Sequence, residues 1–275
     1  MPQPRRITLL LALPAVLFFS ASAASPATPA SPRETVTKLV ALIQKADYEG
    51  DRPALQRLYG ELTPFINDKD MASRVRYWRG FALWRRSING FNDNVDPKEL
   101  EQDLKLAVDE FTDSSTKDPA FADAKVGQLS CLGNILYLNM KNATRVQEIA
   151  AQAQPLVKDL NAAAPENPRF LWVLGPIYWS SPPERGGSQS KAIDIYLKGL
   201  ESVRKNKNTK SDPLDPSWGE PELLMSLAWS NKNGTTPDLN AAEQYAHSAL
   251  QIVPYWHYVR DILLPQILEA KAKQS

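Results

Sequence analysis

Apolar residues along this chain recur at offsets of three and four, and no stretch shows the strict alternation of a half-buried strand. That period places residues i, i+3, i+4 and i+7 on one helical face. Read with the punctuation between periodic stretches, it predicts helices over 32–47, 52–63, 70–87, 97–117, 119–140, 143–163, 168–179, 189–205, 218–232, 239–252 and 255–273. The stops have physical causes. Asn89-Gly90 suits a left-handed helix end. Asp96-Pro97 and Asp118-Pro119 each suit an N-cap followed by proline at the first helical position. Pro265 falls inside the last predicted helix and is expected to kink it.

Within these helices one pattern of small residues returns three times. It reads Ala107, Phe111, Ser114, Pro119, then Ala192, Tyr196, Gly199, then Ala242, Ala246, Ala249, Pro254. Small residues at these offsets line one face, where a neighbouring helix can cross closely without being pushed outward by bulk. Two preceding helices carry a partner signal, Leu174-Gly175-Pro176-Ile177-Tyr178 and Tyr77-Trp78-Arg79-Gly80-Phe81-Ala82-Leu83. A helical hairpin of this kind cannot bury its apolar face alone and is expected to stack on its neighbours. Gly127, Ser130 and Gly133 in the fifth predicted helix permit more than one register.

On those residues the chain resembles a tetratricopeptide repeat protein over most of 32–275. The run from Asn167-Pro168-Arg169 through Leu174-Gly175 to Gly186-Gly187-Ser188-Gln189-Ser190-Lys191-Ala192-Ile193 is similar to a secreted bacterial subgroup with insertions inside the repeat. The resemblance implies an all-α superhelix of about ten or eleven helices. It also implies binding of a protein or peptide partner in a concave groove. The loops at 179–185 and 230–238 depart from the plain repeat, and no clamp residues of chaperone-binding relatives carry over.

The N-terminus adds a location. Arg5-Arg6 precede an apolar run over 7–19, and Ala21-Ser22-Ala23 offers small residues to a signal peptidase. A leader over 1–23 cleaved after Ala23, a Pro-punctuated linker over 24–31 and a repeat domain over 32–275 are therefore expected, in a periplasmic or secreted protein with no membrane span after cleavage. With 32 lysines and arginines against 31 aspartates and glutamates, the charge is balanced, and no nucleic-acid footprint follows. The basic run 204–210 reads as cations at a helix end and a solvated loop. Cys131 is the sole cysteine and reads as a buried structural thiol.

Catalytic signatures are sparse. The two histidines, His247 and His257, have no metal-ligand spacing, and His257 among aromatics reads as a packing residue. No phosphate loop ends in Gly-Lys-Ser/Thr, and Arg185-Gly186-Gly187-Ser188 reads as a turn needing positive φ. No enzyme activity, metal or cofactor is implied.

Aromatic and arginine residues are the stronger lead. With Gly80 and Gly175 at the crossings, the inward face carries Arg74, Tyr77, Phe81, Trp84 and Arg85 from one repeat, and Arg169, Trp172 and Trp179 from another. Trp and Arg dominate binding energy at interfaces. Trp84-Arg85-Arg86 stands out because it places two cations at an expected helix end. Two functions fit: an interaction module for a peptide or protein, or a binder of a small or lipid-like molecule. The second is similar to the repeat subunit that accompanies tripartite ATP-independent periplasmic transporters.

Overall fold

The computed structural model describes residues 30–206 and 212–274. The expected leader at 1–23 and most of the expected linker, 24–29, lie outside the described residues. What is described is all-α: α1 (Pro32–Glu49), α2 (Arg52–Glu61), α3 (Ala72–Asn92), α4 (Pro97–Lys117), α5 (Ala122–Leu138), α6 (Ala143–Ala163), α7 (Pro168–Ser180), α8 (Gln189–Asn206), α9 (Glu220–Asn233), α10 (Leu239–Ile252) and α11 (Leu264–Ala272), with short 3-10 turns and one π-helix.

Caps explain most boundaries. The Ser31 side chain accepts from the Glu34 backbone while Glu34 reaches back to Ser31, a reciprocal capping box that starts α1. Gly50, at φ 73°, ends it in the left-handed region. Asp51, Asn142, Asn167 and Asp238 each accept from backbone N–H groups of the helix that follows.

The helices stack as consecutive hairpins. The first helices, α1, α3, α5, α7 and α9, touch one another in succession, and each packs on its own second helix. They therefore form an inner layer, with α2, α4, α6, α8 and α10 outside. The glycine signal of the first helices and the aromatic signal of the second meet across the crossings. Phe111 of α4 lies on Gly80 of α3, and Tyr196 of α8 lies on Gly175 of α7. Gly127 of α5 also faces Phe111, which decides the register that the sequence left open, while Gly133 faces open space.

Several boundaries shift from expectation, four of them with an identifiable cause. Gly90 does not end α3, which continues to Asn92, with Asn94 at φ 53° just beyond. A Cβ at Gly90 would stand 2.6 Å from Leu100 Cδ2, so this glycine serves close approach of α4. Pro119 does not begin α5. Asp118 instead forms a turn in which its carboxylate accepts from the Ala120 N–H at 3.2 Å, and the helix starts at Ala122. Trp218 lies before α9 in an irregular segment. The last expected helix is a π-helix over Tyr258–Leu263 followed by α11; Pro265 lacks an N–H and crowds the carbonyl of Asp261, and the wider turn accommodates it.

The connector ahead of α9 then brings the chain back onto α1. Arg33 pairs with Asp212, Ser217 Oγ donates to Gln44 Oε1 at 3.0 Å, and Tyr48 Oη donates to Glu222 Oε1 at 2.6 Å. The Tyr48 ring meets Trp256 edge-on at 5.1 Å. Residues 212–219 thus run beside α1, and the inner face of the first hairpins is covered by the chain itself.

Candidate functional site

The residues expected to line an open groove are brought together, but as an interior. Tyr77, Phe81 and Trp84, on successive turns of α3, are fully or almost fully buried. Trp84 packs against Trp218 at 5.6 Å and Trp172 at 6.0 Å, and Trp172 meets Trp218 at 5.7 Å. Three tryptophans from α3, α7 and the connector thereby form a cluster that continues through Phe81 to Tyr77 and Trp78. Such edge-to-face pairs add to the burial of large rings. The polar edges are tied off with one exception. Trp218 Nε1 donates to Tyr77 Oη at 2.8 Å and Trp172 Nε1 donates to Ser226 Oγ at 2.9 Å, while the buried Trp84 N–H has no acceptor.

Arg85 was expected at an exposed helix end, and it is 4 % exposed in mid-helix. Its Nε donates to Asp47 Oδ1 at 2.7 Å, and Asn89 Nδ2 donates to the same oxygen at 3.2 Å. Glu222, also buried, accepts from Tyr48 and, at 2.8 Å, from the Gly219 N–H. Two buried carboxylates thus stand near one guanidinium. Burial, only partly offset by Arg85, holds both carboxyls above the usual carboxylate range. Arg86, the second cation of the sequence signal, pairs with Glu99 and Asp103.

Arg74 and Arg169 face the connector. Arg74 Nε donates to Asp215 Oδ1 at 2.6 Å and its Nη1 to Asp118 Oδ2 at 2.7 Å, with the guanidinium 3.6 Å from the Phe121 ring centroid. Arg169 forms a bidentate pair with Asp123, at 2.6 and 2.9 Å, and donates to the Trp218 carbonyl at 3.1 Å. Trp179 stands apart from these, edge-on to the exposed Trp229 at 5.1 Å.

Sequence reasoning missed the connector. Leu214 is 1 % exposed and its carbonyl accepts from Trp78 Nε1 at 2.8 Å. Asp212 opens a tight turn: the Asp215 N–H donates to its carbonyl at 2.9 Å and the Leu214 N–H to its carboxylate at 2.8 Å. The Asp118 turn has the same two bonds, from Phe121 and Ala120. Arg74 bridges these two Asp-Pro turns. The repeated Asp-Pro dipeptide was the available signal, since both residues favour turns for separate steric and hydrogen-bonding reasons.

Among the described residues, no group of three or more His, Cys, Asp or Glu side chains is placed to hold a metal ion, and no helix is long and apolar enough to cross a membrane. Two surface concavities are lined by other residues, one by Pro237, Asp238, Leu239 and Lys271, the other along α4 at Lys98, Glu101 and Lys105. No family model, curated protein or solved structure matches the chain.

Proposed function

We propose that this protein is a non-catalytic interaction module of tetratricopeptide-like repeats, exported to the periplasm or beyond, that binds a segment of a protein or peptide partner along its inner layer. The observation that carries this reading is how that layer holds residues 212–218. It seats a leucine, receives a carbonyl on an indole N–H, pairs two aspartates with arginines from α1 and α3, and caps the run with a tryptophan. Side-chain anchors combined with main-chain capture are how domains recognise short segments. The packing of Phe111 on Gly80 and Tyr196 on Gly175 supports the repeat assignment, because it joins the small position of a first helix to the aromatic position of a second.

The reading as a binder of a small or lipid-like molecule has less support. Its ligand would need a lumen, and the space between α3, α7 and the connector is filled by Trp84, Trp172 and Trp218.

A photo-reactive benzophenone side chain placed at the exposed Ser217, beside the turn, tests the proposal in cells that export the protein. The expected result is a discrete protein adduct that is lost when Arg74→Ala is added. A bound small mass in native mass spectrometry with no protein adduct would overturn it.

A further inference from the structure

Asp212, Pro213, Leu214 and Asp215 sit on the inner layer with the features of a bound ligand. The turn carries its own two hydrogen bonds and has Pro213 at its second position, so part of its shape is set from within. The two ion pairs it makes outward are partly open to solvent. The Arg33–Asp212 pair has side chains 45 % and 42 % exposed, and the Arg74–Asp215 pair 24 % and 32 %. Exposed pairs of this kind hold weakly. Leu214 and its carbonyl are the deep anchor.

The surface beneath is a receptor in its own right. Without the turn, the buried Trp78 indole would lose its acceptor, and Arg33 and Arg74 would keep only Asp118 as a counter-ion across this patch. Buried donors without partners are costly, so the patch needs an occupant. The connector is also longer than stacking requires. Asp118 to Phe121 and Ala164 to Asn167 each join successive hairpins with one turn, and α2 and α3 are joined by 62–71 with a 3-10 turn, whereas α8 and α9 are joined by 207–219. Connections of that length are uncommon in a compact domain and are either functional or linker segments.

We propose that this turn is a displaceable self-ligand, occupying the site at which a partner's Asp-Pro-Leu-Asp turn, or one of the same acid-proline-apolar-acid chemistry, docks against Arg33, Arg74 and Trp78. The proposal rests on the interaction-module reading above and adds to it both the partner chemistry and a regulation: the site is closed in the free protein. A tethered occupant competes at high effective concentration, so the intact protein binds such a segment weakly, and whatever loosens the turn opens the site. Trp218 stays in its cluster as the fixed end from which the turn lifts.

The test is fluorescence anisotropy of a labelled peptide, Ser-Asp-Pro-Leu-Asp-Pro-Ser-Trp, against the full exported chain. The triple variant Asp212→Asn, Leu214→Ala, Asp215→Asn is expected to bind at least ten-fold more tightly than wild type. Adding Arg74→Ala should return it to the wild-type level, and a peptide with both aspartates replaced by lysine should not bind. If the triple variant loses its helical circular dichroism, Asp215→Asn alone serves, with an expected gain of about three-fold from a weak, part-exposed pair. No gain in a folded variant overturns the self-ligand. Because the peptide assay needs no natural partner, a Ser217 adduct that persists alongside such a result would leave the interaction module standing and remove only the self-occupied site.

Discussion

Gly175→Ala is the sharpest probe of the packing that defines this fold. A Cβ built there would stand 2.0 Å from Tyr196 Cε1, 2.1 Å from Cζ and 2.4 Å from Oη. Non-bonded carbons rest about 3.5–4.0 Å apart, so the ring must retreat by roughly 1.5 Å. It has little room to do so. Tyr196 is 4 % exposed and belongs to one buried cluster with Leu223, Leu227, Ala242 and Ala246. Overpacking a core costs about 1–3 kcal/mol, and an overlap this deep belongs at the upper end, about 2–3 kcal/mol. The better helix propensity of alanine returns at most about 1 kcal/mol. The net expectation is a loss of about 1–2 kcal/mol, a fall of roughly 2–8 °C in Tm for a chain of this size. Thermal and urea unfolding followed by circular dichroism and tryptophan fluorescence would measure it. Gly133→Ala is the control: a Cβ there meets nothing within 4 Å, so the same change should be neutral or stabilise by up to about 1 kcal/mol. Tyr196→Leu combined with Gly175→Ala should recover part of the loss, a coupling that a double-mutant cycle isolates. Equal stability of Gly175→Ala and wild type, or equal losses at Gly175 and Gly133, would refute the crossing.

Two further outcomes follow from the buried charges. Arg85→Ala should cost about 3–5 kcal/mol in urea unfolding because it strands Asp47 in the interior; a loss below about 1 kcal/mol would show that Arg85 is solvated. Glu222→Gln should stabilise the protein at alkaline pH. The Glu222 carboxyl is held above its unfolded value by burial, so the folded state binds the extra proton and stability falls as pH rises through the raised value. The advantage of the glutamine variant should therefore shrink as pH drops toward the ordinary glutamate range near about 4.3. A difference between the two proteins that stays constant from pH 4 to pH 8 would contradict the assignment.

Local physics was legible in the sequence. The limits of α4, α6 and α10 matched expectation to the residue, because they are set by N-caps and the 3.6-residue period within a few positions of the boundary. The pairing of α3 with α4 and of α7 with α8 followed from the same source, since helices of one hairpin meet through a short loop; that Phe111 lands on Gly80 and Tyr196 on Gly175 is read from the structure. Gly90 and Pro119 misled for a related reason. Glycine ends helices and also admits close neighbours, and proline starts helices and also makes turns; the choice rests on Leu100 packing over one and Arg74 drawing Asp118 away from the other. Burial of the inner face was beyond any local pattern. Tyr77, Phe81, Trp84 and Arg85 carry the periodicity of a groove surface; Trp218, returning across 141 positions to bond Tyr77 and pack on Phe81 and Trp84, makes the aromatic three an interior, and Asp47 of α1 does the same for Arg85. Periodicity tells which side chains share a face. Only the tertiary structure decides whether that face meets water, a partner or the chain's own connector, because burial depends on segments that are near in space and far apart in sequence.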